Sequence, residues 1–94
     1  MSGRDPGLAL VRALAAAGPP FELLEATSRD WFSATFTGAR HVIRLELAES
    51  AAAAAWLAGL PEAEFTLRGH FVADLRARRD GDTVTIEALT IEAA

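Results

Sequence analysis

An alternation of apolar and polar residues runs through residues 64–79 and predicts a β-strand. A repeat of two is typical of a strand with one buried face, because successive side chains point to opposite sides. The run ends at Asp80-Gly81, and Asp-Gly between alternating segments indicates a two-residue hairpin loop. We therefore expect residues 64–92 to form one long β-hairpin. The side chains that its first strand turns toward a core are Phe65, Leu67, Phe71, Ala73, Leu75 and Ala77.

The position of this loop determines which residues of the two strands face each other. A loop at Asp80-Gly81 places Asp74 directly opposite Glu87. In the returning strand the apolar residues change phase between Ile86 and Leu89, and a β-bulge next to Glu87 would account for the change.

Two helices are predicted from their start and stop signals. The first spans residues 6–17, after an N-cap at Asp5, and the Gly-Pro-Pro that follows ends it. The second spans residues 51–60, after an N-cap at Ser50, and begins with five consecutive alanines of high helix propensity.

The segment between the helices is predicted to form three shorter strands. Residues 21–26 make the first, and the polar residues 27–30 make a turn. A second hairpin, residues 31–48, reverses at Gly38-Ala39, because a two-residue loop there pairs apolar with apolar residues on one face. This register turns His41 toward the core, near the end of the hairpin.

These elements predict an α+β fold with the order α-β-β-β-α-β-β. We expect a two-layer sandwich in which two helices cover one face of a five-stranded, mainly antiparallel sheet and the other face stays open. The length suits a single compact domain over residues 1–94, of which residues 1–4 form a frayed tail.

Composition excludes several classes of function. The formal net charge of -4 disfavours nucleic acid as a partner, because phosphate binding depends on a basic surface. No apolar run approaches the roughly 20 residues of a membrane span, so no membrane partner is expected. With no cysteine and no signal-peptide layout, the expected location is cytoplasmic. All basic residues are arginine, and a GC-rich bacterial genome would explain this bias.

The chain has few groups suited to catalysis. It contains no lysine, asparagine, glutamine or tyrosine, and no motif for a nucleotide, a metal or a serine nucleophile. We therefore expect no cofactor and no metal. The candidate catalytic residues are His70, Asp74 and Glu87, which the predicted hairpin turns to the open face.

Each of these candidates also has a purely structural interpretation. Two facing carboxylates could hold a cation or raise a pKa, but Arg76, Arg68 or Arg44 could equally balance them in a surface network. His70 is either a base or a solvated histidine on a strand. His41 is predicted to be a core histidine with a hydrogen bond rather than a ligand.

A mixed patch on the open face is the candidate interface, because tryptophan and arginine often anchor protein contacts. The leading hypothesis is a non-catalytic interaction module, as a homodimer or with another protein, that uses the open face or a sheet edge. The alternatives are a small-molecule or metal-binding protein or enzyme, and an acidic protein that neutralises a basic partner. The predicted interface residues are Trp31, Val42, Arg44, Arg68, Val72 and Arg76.

Overall fold

The structure, a computed structural model, describes residues 5–93. The predicted tail at residues 1–4 lies outside the described residues. The elements are α1 (Pro6–Ala17), β1 (Glu22–Phe32), β2 (Thr37–Glu46), α2 (Ala51–Gly59), a 3₁₀ turn (Leu60–Glu62), β3 (His70–Asp80) and β4 (Thr83–Glu92).

The four strands form one antiparallel sheet in the order β1-β2-β4-β3. The predicted α+β class and antiparallel sheet are confirmed. The predicted five strands and their order were wrong, since the described residues follow α-β-β-α-β-β. Two predicted strands and the turn between them are a single strand, β1.

The polar segment 27–30 continues β1 instead of turning. Along β1 every residue is exposed except Trp31, which is half-buried. A strand exposed on both faces can carry polar residues in either phase, so the polar run is no signal of a turn here. The hairpin instead reverses at residues 33–36, where Ser33 Oγ accepts hydrogen bonds from the backbone N–H groups of Phe36 (3.0 Å) and Thr35 (3.4 Å).

The predicted loop at Gly38-Ala39 was therefore wrong, and Gly38 lies inside β2 opposite Trp31 and Ile91. A Cβ at this position would overlap the carbonyl oxygen of Thr90 in β4. Gly38 thus permits a close approach of two backbones, the other common reason for glycine in a strand.

Both helices begin as predicted. Asp5 Oδ1 accepts hydrogen bonds from the backbone N–H groups of Gly7 (2.9 Å) and Leu8 (3.2 Å), and Ser50 Oγ accepts one from Ala53 (3.0 Å). The second helix ends at Gly59, one residue before the predicted end, and continues as the 3₁₀ turn.

The helices pack on one face of the sheet, here called the helix side. Its core joins residues of α1, α2 and the 3₁₀ turn to the two central strands β2 and β4 and to Leu47, which follows β2; β3 contributes one further side chain. The cluster comprises Leu10, Leu14, Ile43, Leu45, Leu47, Ala53, Leu60, Leu75, Val84, Ile86 and Ala88.

The long hairpin forms, but its loop is Gly81-Asp82, and Asp80 faces Thr83. Each residue of β3 therefore faces a residue two positions later in β4 than predicted. A shift of two residues keeps the same faces together, so Ala77 lies opposite Ile86 on the helix side. The first strand of this hairpin begins only at His70, not at residue 64.

The bulge lies in β3, not in β4 as predicted. The register shifts between Val72 and Asp74, so Ala73 is the extra residue. Residues before the bulge consequently have the opposite phase. Val72 packs toward the helix side, whereas Phe71, predicted to face the core, is 46% exposed.

Candidate functional site

The outer edge of β1 is the most accessible part of the sheet. β1 is the first strand in the sheet order, so only one of its edges is paired within the described chain. Its residues are exposed except for the half-buried Trp31, and the start of α1 lies against it where Gly7 meets Ser28. An uncovered edge strand offers unpaired N–H and C=O groups to another strand.

The hairpin loop determines which backbone groups of β1 point outward. Ser33 N–H donates to the carbonyl oxygen of Phe36 (2.9 Å), so these two residues form a hydrogen-bonded pair. Such pairs alternate along an antiparallel ladder. From Glu25 onward the pairing with β2 is regular, and the outward N–H and C=O groups belong to Ala26, Ser28, Asp30 and Phe32.

Two charged side chains of β1, Glu25 and Arg29, differ in what they face on β2. Residues directly opposite in neighbouring strands share a face. Glu25 faces Arg44, and their side chains form an ion pair at 3.3 Å. Arg29 faces Arg40 on the same face, and neither arginine has a carboxylate within ion-pairing distance among residues 5–93.

The face opposite the helices, here called the open face, carries an apolar patch. Ile91 is only 4% exposed and yet is not part of the core under the helices. It pairs with Gly38 and Phe71; Trp31 pairs with Gly38 from the other side, and Leu89 lies two residues before Ile91 on the same face of β4. The phase change between Ile86 and Leu89, which had indicated a bulge, instead reflects apolar residues on both faces of β4.

The predicted interface residues separate into two groups. Four of them lie on the open face by their strand pairing: Trp31, Val42, Arg44 and Arg76. The bulge turns Val72 toward the helix side, and Arg68 lies in the turn before β3, outside the sheet.

The structure does not bring the predicted catalytic residues together. Asp74 faces Leu89 and lies 3.7 Å from the guanidinium of Arg76, and Arg76 rather than Asp74 faces Glu87. The predicted pair of facing carboxylates was wrong because the loop lies one residue later, which sets Asp74 opposite Leu89 instead of Glu87. His70 faces Glu92 at the far end of β3.

His41 faces the core as predicted, although opposite Ser28 rather than Phe36, and is 1% exposed. Its Nε2 lies 2.8 Å from Thr90 Oγ1, and its Nδ1 lies 2.6 Å from Ser28 Oγ. Because the Thr90 hydroxyl also donates to the carbonyl oxygen of Ala39 (3.5 Å), it accepts the Nε2 proton. The Nδ1 atom then accepts from Ser28, and the ring is neutral.

The two histidines share a cavity of about 790 Å³ at the end of the sheet next to the start of α1. Burial lowers the pKa of His41; nearby Asp5 opposes this shift and His70 adds to it. His70 Nδ1 lies 3.1 Å from the carbonyl oxygen of Arg68. The polar residues that line the cavity include Asp5, Ser28, Arg29, Asp30, His41, His70 and Glu92.

Within residues 5–93, no three histidine, aspartate or glutamate side chains are grouped so that they could hold a metal ion. The helices of this part of the chain are too short or too polar to cross a membrane.

No family model matches the chain, and no curated protein or solved structure is significantly similar to it. The described residues form an α+β domain in which β1 is an edge strand with largely exposed side chains.

Proposed function

We propose that this protein is a non-catalytic protein-interaction module that works as a homodimer through the edge strand β1. The uncovered edge of β1 is the observation that carries the proposal. Among residues 5–93 it is paired on one side only, and its residues are exposed except for the half-buried Trp31. Strand addition at such an edge is a common mode of protein recognition.

The other edge strand, β3, is a poorer surface for strand addition. Its bulge at Ala73 interrupts the ladder and leaves only residues 74–80 regular. Bulges are one of the devices by which proteins protect exposed sheet edges. In β1 the only irregularity lies at Leu24, near its start, so residues 25–32 form an uninterrupted ladder.

The contact also extends to apolar side chains at the ends of β1. Phe32 is 67% exposed, and Leu23 and Leu24 are exposed as well. Large apolar side chains concentrated along one edge mark an interaction surface more often than scattered ones do. On the open face, Trp31 continues this surface toward Ile91 and Phe71.

Sedimentation equilibrium of the wild-type protein and of Ala26→Pro tests the proposal. The Ala26 N–H points outward, so proline removes a donor from the free edge and spares the ladder to β2. We expect a wild-type dimer and a folded Ala26→Pro monomer, with Ala26→Thr, which keeps the N–H group, as the matched control. A wild-type protein that stays monomeric up to about 500 μM, a concentration at which even weak interfaces associate, would overturn the proposal.

A second candidate function is the binding of a small molecule in the cavity beside the two histidines. The favouring observation is that a buried, neutral His41 and the part-exposed His70 line the same space. Long-range ¹H–¹⁵N spectra of both rings, recorded with zinc chloride and with a panel of small amines and carboxylates, test it. Shifts confined to the cavity residues would support binding, and unchanged spectra throughout would remove this candidate.

A further inference from the structure

The pairing of β1 with β2 places two like charges opposite each other, with no ion pair for either among residues 5–93. Arg29 stands opposite Arg40 on the open face, and like charges directly opposite each other destabilise a sheet. Glu25, four residues earlier on the same face, is already bound to Arg44. On the open face, β1 thus carries the negative Glu25 two residues before Thr27 and the positive Arg29 two residues after it.

We propose that the partner is a second copy of this chain, whose β1 pairs antiparallel with β1 about a twofold axis through Thr27. This inference rests on the proposed homodimer and specifies its register. The axis runs perpendicular to the sheet, so both copies keep their helices on the same side. In this register Glu25 of each copy faces Arg29 of the other, and Thr27 faces Thr27.

The backbone groups of β1 suit this arrangement. Ala26 and Ser28 carry outward N–H and C=O groups, and the twofold axis places Ala26 of one copy opposite Ser28 of the other. Each of these pairs exchanges two N–H···O=C hydrogen bonds, as in any antiparallel ladder. The bulge at Leu24 ends the regular ladder just beyond Glu25.

Other symmetric registers match the charges less well. An axis through Ala26 sets Arg29 beyond the bulge at Leu24, near Glu22, where the ladder is no longer regular. One through Ser28 sets Arg29 against Thr27, and one through Arg29 sets two arginines against each other. Within the regular ladder, residues 25–32, only the axis through Thr27 sets Arg29 against a carboxylate.

The apolar ends of the strand support the same register. On the helix side it brings the exposed Phe32 of one copy toward the exposed Leu23 of the other, at both ends of the shared ladder. Diagonal neighbours across an antiparallel pair are within reach of an aromatic side chain. Eight strands would then form one continuous sheet.

Charge reversal and rescue, followed by sedimentation equilibrium, test the register. Arg29→Glu and Glu25→Arg each create two like-charge pairs across the axis, so we expect each to raise the dissociation constant about tenfold or more. The double variant restores opposite charges and is expected to recover the wild-type value to within about threefold. Arg78→Glu makes the same change in net charge as Arg29→Glu, but on β3, and is the matched control for that variant.

The outcomes separate the two proposals. A wild-type monomer would overturn the homodimer itself. A wild-type dimer that Ala26→Pro disrupts, but in which the single reversals have no effect or the double variant gives no rescue, would overturn only the register through Thr27. Equal weakening by Arg78→Glu would attribute the effect to net charge and also overturn the register.

Discussion

Arg29 in β1 lies directly opposite Arg40 in β2, on the face of the sheet that no helix covers. Among the described residues neither guanidinium forms an ion pair, whereas Glu25 on the same strand binds Arg44. Such a juxtaposition weakens an isolated sheet. It is relieved when a carboxylate approaches from the free edge of β1, which is what the proposed twofold pairing supplies.

Salt should therefore weaken the dimer. The Arg29–Glu25 pairs across the axis are exposed, and ions screen exposed charges over about 8 Å at physiological ionic strength. We expect the dissociation constant to rise between low and high sodium chloride, as measured by sedimentation equilibrium. A constant that fell with added salt would point to a mainly apolar contact and contradict the role given to these charges.

Gly38 should tolerate no side chain, because a Cβ would meet the carbonyl oxygen of Thr90 and the Ile91 side chain. We expect Gly38→Ala to lower the free energy of unfolding by about 1–3 kcal/mol, as overpacking does. Gly59→Ala is the control: nothing lies within 4 Å of a Cβ there, so it should be neutral or stabilising by up to about 1 kcal/mol. Urea denaturation of both variants compares them, and equal effects would contradict the close approach of β2 and β4.

Arg79 ties the second hairpin loop to the segment after β2. Its Nη1 donates to the carbonyl oxygens of Leu47 (2.9 Å) and Gly81 (2.8 Å). We expect Arg79→Ala to cost about 1–3 kcal/mol of stability, the range for hydrogen bonds that involve a charged group. The neighbouring Arg78→Ala, on an exposed side chain, should change stability by less than about 0.5 kcal/mol. Two variants of equal stability in chemical denaturation would contradict the contact.

His41 should make the fold sensitive to mild acid. Its pKa is lowered from 6.5, mainly by burial. As the pH falls below 6.5, His41 therefore binds a proton more readily in the unfolded chain than in the folded chain. This contribution to stability is fully present above pH 6.5 and is lost as the pH falls toward the lowered pKa of the folded state. Chemical denaturation between about pH 5 and pH 8 measures the slope.

The control for this slope is a pair of histidine variants. His41→Gln should flatten the pH dependence of the unfolding free energy, whatever its effect on the overall level. His70→Gln should leave the slope largely in place. A wild-type slope in His41→Gln would mean that another group causes it.

The sequence predicted the elements whose signals are local. Asp5 and Ser50 mark helix starts by their own hydrogen bonds, and Asp80-Gly81 marks a loop to within one residue. The alternation around Leu75 correctly predicted which side faces the helices. These signals depend on neighbours in the chain, which the sequence displays directly.

The misassigned features depend on contacts distant in the chain. Gly38 appeared to be a loop glycine because nothing in its neighbourhood reveals the Thr90 carbonyl against it. The bulge at Ala73 reverses the faces of Phe71 and Val72, and neither residue signals this by itself. The polar residues 27–30 favour a turn by their composition, and the sequence does not show that β1 lies at an edge, where a strand tolerates them.

For the candidate site, too, the sequence predicted the features with local signals and not those set by distant contacts. Trp31, Val42 and Arg76 could be assigned to the open face from alternation alone. The edge strand could not, because the strand order determines which strand lies outermost. The same holds for the Arg29–Arg40 pair, which arises only from the register between β1 and β2.

Disulfide trapping of Thr27→Cys is the most direct measurement of the proposed dimer. The chain contains no cysteine, so a cross-link can form only between the two introduced thiols. With the axis through residue 27, Thr27→Cys should oxidise rapidly to a disulfide-linked dimer, whereas Arg29→Cys, which would face Glu25, should not. A rapid cross-link in Arg29→Cys but not in Thr27→Cys, or none in either, would contradict the account.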